Sequence, residues 1–312
     1  HDALPRSEER RVGKECTFQF NSAILLGIPY IVFMVTFGIV PMILAVIFSF
    51  SKYGNYQPEY FAAGLSNYIA ILTDPQLLIS FGNILKFGAI MLPVSFIGAL
   101  AIALILDLAD DRFGGFMRTV YFIPGAITLP AVALIAIFMF DPGISPFGFF
   151  LKLTGAKIAG DILNNKTLIY FMVLLRFFAS SGGWIAVFYG ALTGINREVI
   201  EAGMIDGCNP WQMAYYIKRP LIMGYALFML INLTIQSLQL FAEPFIIQTS
   251  LKTGSPIDPY WSPNMWSAFL TIRTGDFGKS AVISLIMLLI SLVAAVFIVT
   301  RTGMFKTDVV RN

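Results

Sequence analysis

Residues 194–220 read GINREVIEAGMIDGCNPWQMAYYIKRP and lie between two long apolar stretches. In the middle, Asp206 and Gly207 form a dipeptide that is typical of turns. Asn209 can cap a helix that begins at Pro210, because an asparagine side chain accepts a backbone N–H bond and proline needs no donor there. The stretch therefore predicts two short helices joined by a turn, outside the membrane.

The predicted pair of helices has features of a contact surface. Ala202, Gly203 and Gly207 leave little side-chain bulk, so that another protein could approach the backbone closely. Apolar residues also lie beside acids: Val199, Ile200, Met204 and Ile205 beside Glu198, Glu201 and Asp206. A partly apolar surface in a polar setting predicts that a partner protein covers it.

The chain as a whole is too apolar for a soluble globule. Of its 312 residues 57% are hydrophobic and 12% are charged, and its mean hydropathy is +0.76. Soluble domains are about 25% charged. The net charge of +3 does not indicate nucleic-acid binding. One histidine, His1, and two cysteines predict no catalytic histidine, no metal site and no disulfide framework.

Six apolar segments are long enough to cross a bilayer as helices, since about 20 residues span its hydrocarbon core of roughly 30 Å. Their ranges are 22–50, 81–106, 119–140, 167–192, 220–243 and 279–300. A transmembrane barrel would instead show alternating segments of about ten residues. The predicted fold class is an all-α integral membrane protein with six transmembrane helices.

Basic residues in the loops predict the orientation. Twelve lie on the side of the termini and of the 107–118 and 194–219 loops, against six on the other side, so both termini are expected in the cytoplasm. The expected organisation is a cytoplasmic or non-native tail (1–20), a first transmembrane helix (21–51), an extracytoplasmic loop (52–80), a core of five transmembrane helices (81–300) that includes the 195–220 loop, and a cytoplasmic tail (301–312).

The 194–220 stretch resembles the EAA loop of permeases from binding-protein-dependent ABC importers. The matching residues are Glu201-Ala202-Gly203, Asp206-Gly207-Cys208, Trp211, Ile217 and Pro220. Ala214 stands where the family usually has Phe, and Arg219 where it usually has Leu, so these two would alter the docking surface. Three further segments are similar to family patterns, in the same order along the chain: 64–68, 118–124 and 240–244.

The resemblance implies a fold, a coupling site and partners. The fold is that of a type I ABC importer permease (MetI-like), of the carbohydrate type represented by maltose and glycerol-phosphate permeases. The partners are a second permease, as a heterodimer, two ATPase subunits, an extracytoplasmic solute-binding protein and the lipid bilayer. The residues expected to couple the chain to the ATPase are Glu201, Ala202, Gly203, Asp206, Gly207 and Pro220.

The resemblance also places the cofactor on a partner. ATP and Mg are expected on the ATPase, and no cofactor is expected on this chain. The chain has no G-x-x-x-x-G-K-[ST] phosphate loop, so we expect it not to hydrolyse ATP. The expected location is the plasma membrane of a prokaryote.

Four polar residues in the fifth segment form a candidate solute pathway. At about 100° per residue, Asn232, Gln236, Gln239 and Glu243 fall within roughly 60° on one helix face. They could hydrogen-bond the hydroxyls of a sugar-like solute, or join helices at a subunit interface. Arg176, in the fourth segment, could pair with an acid such as Glu243 or contact an anionic solute.

Other residues have a structural interpretation beside a functional one. Trp184 and Tyr189 could stack on a sugar ring, although packing is the commoner role for aromatic side chains in membrane helices. Asp107, Asp110 and Asp111 are interpreted as a solvated acidic cluster in the loop after the second segment.

The predicted function is the permease subunit of an ABC importer for a carbohydrate or related polyol. An importer of the same superfamily for an amino acid, peptide or ion is an alternative. A secondary transporter would need more spans and an internal repeat. A membrane enzyme would need a cluster of reactive side chains at membrane depth, and apart from Arg176 and the polar row the sequence has no such cluster.

Overall fold

The computed structural model describes residues 27–54, 57–109, 111–251 and 256–302. The expected tail 1–20 and nearly all of the tail 301–312 lie outside these residues. Within them, the chain is helical apart from one short antiparallel hairpin, in which β1 (Lys52–Gly54) pairs with β2 (Gln57–Glu59).

The described residues contain fourteen helices, besides a short 3-10 helix (Ile123–Ala126) that continues α4. The first seven are α1 (Gly27–Ser49), α2 (Ser66–Leu72), α3 (Pro75–Leu108), α4 (Asp111–Phe122), α5 (Leu129–Met139), α6 (Gly148–Leu153) and α7 (Ala159–Ile162). The others are α8 (Leu168–Thr193), α9 (Arg197–Ile205), α10 (210–221), α11 (Met223–Leu238), α12 (Ala242–Ser250), α13 (263–274) and α14 (Phe277–Thr302).

The helices confirm a multi-pass membrane protein. Five spans are long and apolar enough to cross a bilayer: α1, α3, α8, α11 with α12, and α14. A sixth candidate is the pair α4 and α5, whose axes meet at 94°. The third predicted segment, 119–140, is therefore not one straight helix. Its break falls at 123–128, where Pro124 and Gly125 follow the end of α4.

The second span begins earlier than the sequence predicts. Helix α3 starts at Pro75, and the Asp74 side chain caps it by accepting a hydrogen bond from the Gln76 backbone N–H at 2.9 Å. The predicted start at 81 was wrong because polar residues in the first turns lower the local hydropathy. The loop expected at 52–80 consequently contains β1, β2, α2 and the first turns of α3.

The C-terminal end of helix α1 is hydrogen-bonded to the rest of the chain. The Asn67 side-chain amide donates to the carbonyls of Ser49 and Ser51, both at 2.9 Å, and so satisfies groups that the end of α1 leaves unpaired. A Cβ on Gly278 would lie 2.6 Å from the Asn67 amide nitrogen, so α14 reaches this point because it has no side chain there. The rest of α1 is largely exposed.

Two of the three hydrophobic cores of the described residues lie toward opposite ends of the helix bundle. The proximal core, next to α9 and α10, includes Ala99, Leu106, Phe188, Leu192, Ile222 and Met229. The distal core, at the other end, includes Phe87, Met91, Leu168, Met172, Leu240, Ile247 and Trp261. Helices α3 and α8 contribute to both cores, whereas α11 packs in the proximal core and α12 in the distal one.

Candidate functional site

The 194–220 stretch forms the predicted helical hairpin. Helix α9 is capped by Asn196, whose side-chain oxygen accepts from the Glu198 N–H at 3.2 Å. The turn has Gly207 at a φ of 80°, a left-handed conformation that favours glycine. At the start of α10, Asn209 and Gln212 each accept a hydrogen bond from the backbone N–H of the other, at 2.8 and 2.9 Å. The predicted turn and second cap are confirmed.

The small residues of the hairpin serve its own closure. A Cβ on Gly203 would lie 2.6 Å from Ile217 Cδ1 and 2.8 Å from Met213 Cε, so α10 packs directly on the α9 backbone there. At Gly207 the left-handed backbone of the turn favours glycine. Of the three small residues that we expected to admit a partner, Ala202 and Gly207 are exposed, whereas Gly203 is buried within the hairpin.

The hairpin leaves large apolar side chains uncovered. Ile205 is 87% exposed, Trp211 67% and Met204 63%. Glu201 is also exposed, at 3.8 Å from Arg197 in a surface ion pair. A contact with another protein at this patch stays a prediction, because it was expected for a hairpin outside the membrane. We call these four residues, Glu201, Met204, Ile205 and Trp211, the hairpin surface.

Of the two residues expected to alter the docking surface, one is buried and the other stays partly exposed. Ala214 is buried, so it is not part of the exposed surface of the hairpin. The Arg219 guanidinium lies 4.8 Å from the centroid of the Tyr215 ring, in a cation–π contact. Pro220 follows Arg219 and is exposed.

An ion pair joins the hairpin to a membrane span. Lys218 Nζ lies 2.5 Å from Asp107 Oδ2 in the last turn of α3, and the two side chains are 12% and 9% exposed. The interpretation of Asp107 as part of a solvated cluster was therefore wrong. Asp110 lies outside the described residues. Because a poorly hydrated pair cannot be broken cheaply, α10 and α3 are held together at this point.

The fifth predicted span, 220–243, is interrupted in its distal part. Helix α11 ends at Leu238, and α12 begins at Ala242 and runs to Ser250. Two side chains that follow α12 in the sequence donate hydrogen bonds to backbone carbonyls at the break. The Asn264 amide donates to the Leu238 carbonyl at 3.2 Å, and the Ser262 hydroxyl donates to the Leu240 carbonyl at 2.9 Å. The break is thus a hydrogen-bonded feature of the fold.

Arg176 contacts both sides of this break. Its Nε lies 2.5 Å from Glu243 Oε1, in a pair whose side chains are 8% and 2% exposed. Its Nη1 donates to the Gln236 carbonyl, near the end of α11, at 3.4 Å. A pair with an acid such as Glu243 was one of the two roles predicted for Arg176, and that pair is present. Within the described residues, Glu243 Oε2 is buried without a hydrogen-bond partner.

The break divides the predicted polar row. Asn232 and Gln236 lie half-buried on α11, and the Asn232 amide donates to the Phe228 carbonyl of its own helix at 2.9 Å. Gln239 follows the end of α11 and is exposed, whereas Glu243 is buried beyond the break. The row does not lie on one continuous helix, and its role in a pathway stays a prediction.

The two aromatic side chains considered for sugar stacking make contacts inside the chain. The Trp184 ring lies edge-on to Phe228, with centroids 5.9 Å apart. Tyr189 is buried, and the Arg118 guanidinium lies 4.8 Å from its ring centroid. Both arrangements favour the packing interpretation.

The break between α4 and α5 also contacts α8. A Cβ on Gly182 would lie 2.0 Å from the Tyr121 carbonyl oxygen, and one on Gly125 would lie 3.2 Å from the Ala179 oxygen. Ala179 is one helical turn from Arg176, so two interrupted spans meet α8 at nearly the same depth. Interrupted helices at membrane depth occur where backbone is buried in protein or lines a cavity, and transporters place solute sites there.

Neither interruption was predicted from the sequence. Pro244 was the available signal for the second, since proline is tolerated in the first turn of a helix and it therefore favours a new start at Ala242. For the first, the Pro124-Gly125 dipeptide was the available signal.

Comparison by sequence and comparison by fold both find proteins of ABC transporters that are similar to this chain. No protein-family model matches the chain. It is 25% identical over 272 residues to a probable ABC transporter permease of Pyrococcus horikoshii, covering 86% of this chain and 91% of that protein. It is 27% identical over 233 residues to the lactose transport system permease protein LacF of Rhizobium radiobacter, covering 73% and 76%.

Solved structures confirm the predicted fold. A bacterial ABC transporter that imports the acidic polysaccharide alginate contains a chain that superposes with a TM-score of 0.80 at 16% identity, covering 95% of this chain and 100% of that one. The same kind of transporter in complex with a periplasmic protein that holds an alginate pentasaccharide gives 0.78 at 17% identity, covering 95% and 99%.

Proposed function

We infer that this chain, which belongs to the ABC importer permeases in sequence and in fold, is the membrane subunit through which a carbohydrate or related polyol is imported. The α9–α10 hairpin carries this inference, since it exposes Ile205 and Trp211 and is tied to α3 by the pair of Lys218 with Asp107. An exposed apolar surface joined to a membrane span is what transmission of a partner's movement requires.

ATP hydrolysis is proposed to take place on separate subunits. The hairpin surface would dock on one of two ATPases, with ATP and Mg bound there. Closure of the ATPases would pull on the hairpin, and the Lys218–Asp107 pair would pass the displacement to α3. The chain then acts as a two-state element that both sides of the membrane bias. No catalytic residue is proposed on this chain.

A second permease is proposed as the lateral partner. In α1 the 18-residue apolar window has no buried residue, and Phe33 and Phe37 are among its exposed side chains. We propose that part of this face contacts another permease, in a heterodimer, while the rest faces lipid. The location proposed is the plasma membrane of a prokaryote, with both termini in the cytoplasm because basic residues are more frequent on that side.

The solute class is proposed from the polar row and from the relatives. Asn232, Gln236 and Gln239 offer amide donors and acceptors at the interrupted span, which suits hydroxyl groups. LacF is named for lactose, and the alginate importer takes a polysaccharide from a periplasmic protein. An extracytoplasmic solute-binding protein is accordingly proposed to deliver the solute to the end of the bundle opposite the hairpin.

Purification of this chain from its host tests the proposal. The tagged chain is extracted in a mild detergent and its partners are identified by mass spectrometry. Recovery of a second permease and an ATPase is expected. A stable chain that is recovered alone, or only with copies of itself, would contradict the assignment.

A further inference from the structure

Three spans of the bundle carry a proline or an interruption in their middle part, between the proximal and the distal core. In α3, Pro93 lies between Met91 of the distal core and Ala99 of the proximal core. The α4–α5 break contacts α8 at Ala179 and Gly182. The fifth span is interrupted at 239–241. Helices bend most readily at proline and where the backbone ladder is broken, so these three features mark a middle layer of the bundle.

Arg176 is the charged group that spans this layer. It lies eight residues into α8, hence about 12 Å from the helix start at 1.5 Å per residue. Its Nη1 binds the Gln236 carbonyl at the end of α11, and its Nε binds the Glu243 carboxylate in the first turn of α12. A cation is favoured at a helix C-terminus and a carboxylate at a helix N-terminus. The Arg176 guanidinium therefore suits the end of α11, and the Glu243 carboxylate suits the start of α12.

The shape of the side chain matters as much as its charge. A guanidinium presents donors in a fixed planar fork, so one arginine can hold two acceptors at a set angle. The acceptors here belong to two helices that pack in different cores. Arg176 is therefore one of the groups that hold the angle between α11 and α12, together with Ser262 and Asn264. Gln239 lies exposed in the break between the two helices.

We propose that Arg176 is a positioning residue for solute passage: it bridges α11 and α12 and thereby aims the amides of Gln236 and Gln239 at the solute. This rests on the function proposed above, because it takes the interrupted span as part of the pathway. Within the described residues Glu243 Oε2 has no hydrogen-bond partner, so the carboxylate keeps one acceptor beside the bridge that a solute group can use.

The test uses the importer with its partner subunits in proteoliposomes and a double variant, Arg176→Met with Glu243→Leu. Replacing both members leaves no lone charge buried, so the chain is expected to insert and assemble like the wild type. The KM for solute is expected to rise about tenfold while maximal transport falls less, as for lost positioning of groups that bind solute. Unchanged KM would show a structural pair only and would overturn the proposal.

A second measurement reports the geometry without transport. Spin labels at Tyr225 on α11 and Thr249 on α12, both exposed, measure the distance between the two helices in lipid. The double variant is expected to broaden the distance distribution, and an equally narrow distribution would overturn the proposal. If the wild type transports no solute, the proposed function fails, whereas these distances still decide whether Arg176 sets the angle.

Two single variants sharpen the result. Arg176→Lys keeps the charge beside Glu243 but loses the fork, so an intermediate KM and an intermediate distance distribution are expected. Wild-type values in both would show that the bridge to Gln236 is dispensable and would overturn the proposal. Lys86→Met removes an exposed charge from α3 and serves as the control, with no change expected in either measurement.

Discussion

Gly207 occupies the turn of the α9–α10 hairpin with a φ of 80°. Proline fixes φ near −65° and cannot adopt this conformation. We predict that Gly207→Pro disrupts the hairpin and abolishes solute-stimulated ATPase activity of the reconstituted importer, while the chain still inserts because its membrane spans are unchanged. ATPase assays with and without solute, together with the amount of chain in the membrane, measure this.

Asparagine at the same position is the matched control. Most L-residues lose about 1–2 kcal/mol in the left-handed region, but asparagine visits it readily. Gly207→Asn should therefore keep most of the stimulated activity. Stimulation by solute in the proline variant at the wild-type level would remove the hairpin from the coupling mechanism.

Asp107 and Lys218 give a prediction about stability. Each is about nine-tenths buried, so Asp107→Ala leaves the Lys218 ammonium without its counter-charge in a poorly hydrated place. We expect the free energy of unfolding to fall by about 3–5 kcal/mol, the range found when one member of a buried ion pair is removed. Thermal unfolding of the detergent-solubilised chain measures it, and the exchange Asp107→Lys with Lys218→Asp should recover part of the loss.

The partly exposed pair of Lys279 with Asp276 is the control for that experiment. Its side chains are 40% and 25% exposed, and Lys279→Gln should change stability by about 0–1 kcal/mol. If Asp107→Ala destabilises the chain no more than Lys279→Gln does, α10 and α3 are not held together by their charges.

At the scale of elements, the break between α11 and α12 depends on donors from α13. In Asn264→Leu the Leu238 carbonyl loses its donor while the volume of the side chain is nearly kept. We expect the free energy of unfolding to fall by about 1–3 kcal/mol, which is the cost of leaving a buried acceptor without a hydrogen bond. The measurement is again thermal unfolding in detergent.

Asn232→Leu is the comparison for this element. Among the described residues, the Asn232 amide donates to the Phe228 carbonyl of its own helix, so its removal should leave stability nearly unchanged. If instead it is Asn232→Leu that destabilises the chain and Asn264→Leu that does not, the interruption does not depend on the donor from α13.

The elements also show which features a sequence can predict. The turn of the hairpin and the cap of its second helix are set by neighbours along the chain, as in Asn209 with Gln212, so they were predicted correctly. The breaks after Phe122 and Leu238 are stabilised by Gly182, Ser262 and Asn264, which are distant in sequence. Hydropathy could not show the first break, because residues 120–127 stay apolar through it. The polar residues at the second break were interpreted as one face of a continuous helix. The small Gly203 was correctly placed in the hairpin but for a different reason, since its space is taken by Met213 and Ile217.

At the scale of the whole molecule, the hairpin surface at one end of the bundle is connected through packed helices to the break between α11 and α12 in the middle. The hairpin is tied to α3 by Lys218 and Asp107, and α3 packs along α8, which carries Arg176 to the break. A displacement of the hairpin can therefore reach α11 and α12 through packed helices. This arrangement requires that a partner hold the hairpin surface, and that requirement can be tested directly.

We predict that Ile205→Asp with Trp211→Ala releases the ATPase. Both side chains are largely exposed on the hairpin, so their replacement should leave the fold intact and remove apolar area from the contact. After purification from the membrane, the variant should retain the second permease and lose most of the ATPase. Phe149→Ser, at a residue 73% exposed on α6 near the opposite end of the bundle, is the control and should retain both partners. An undiminished yield of ATPase with the hairpin variant would place the docking surface elsewhere on the chain.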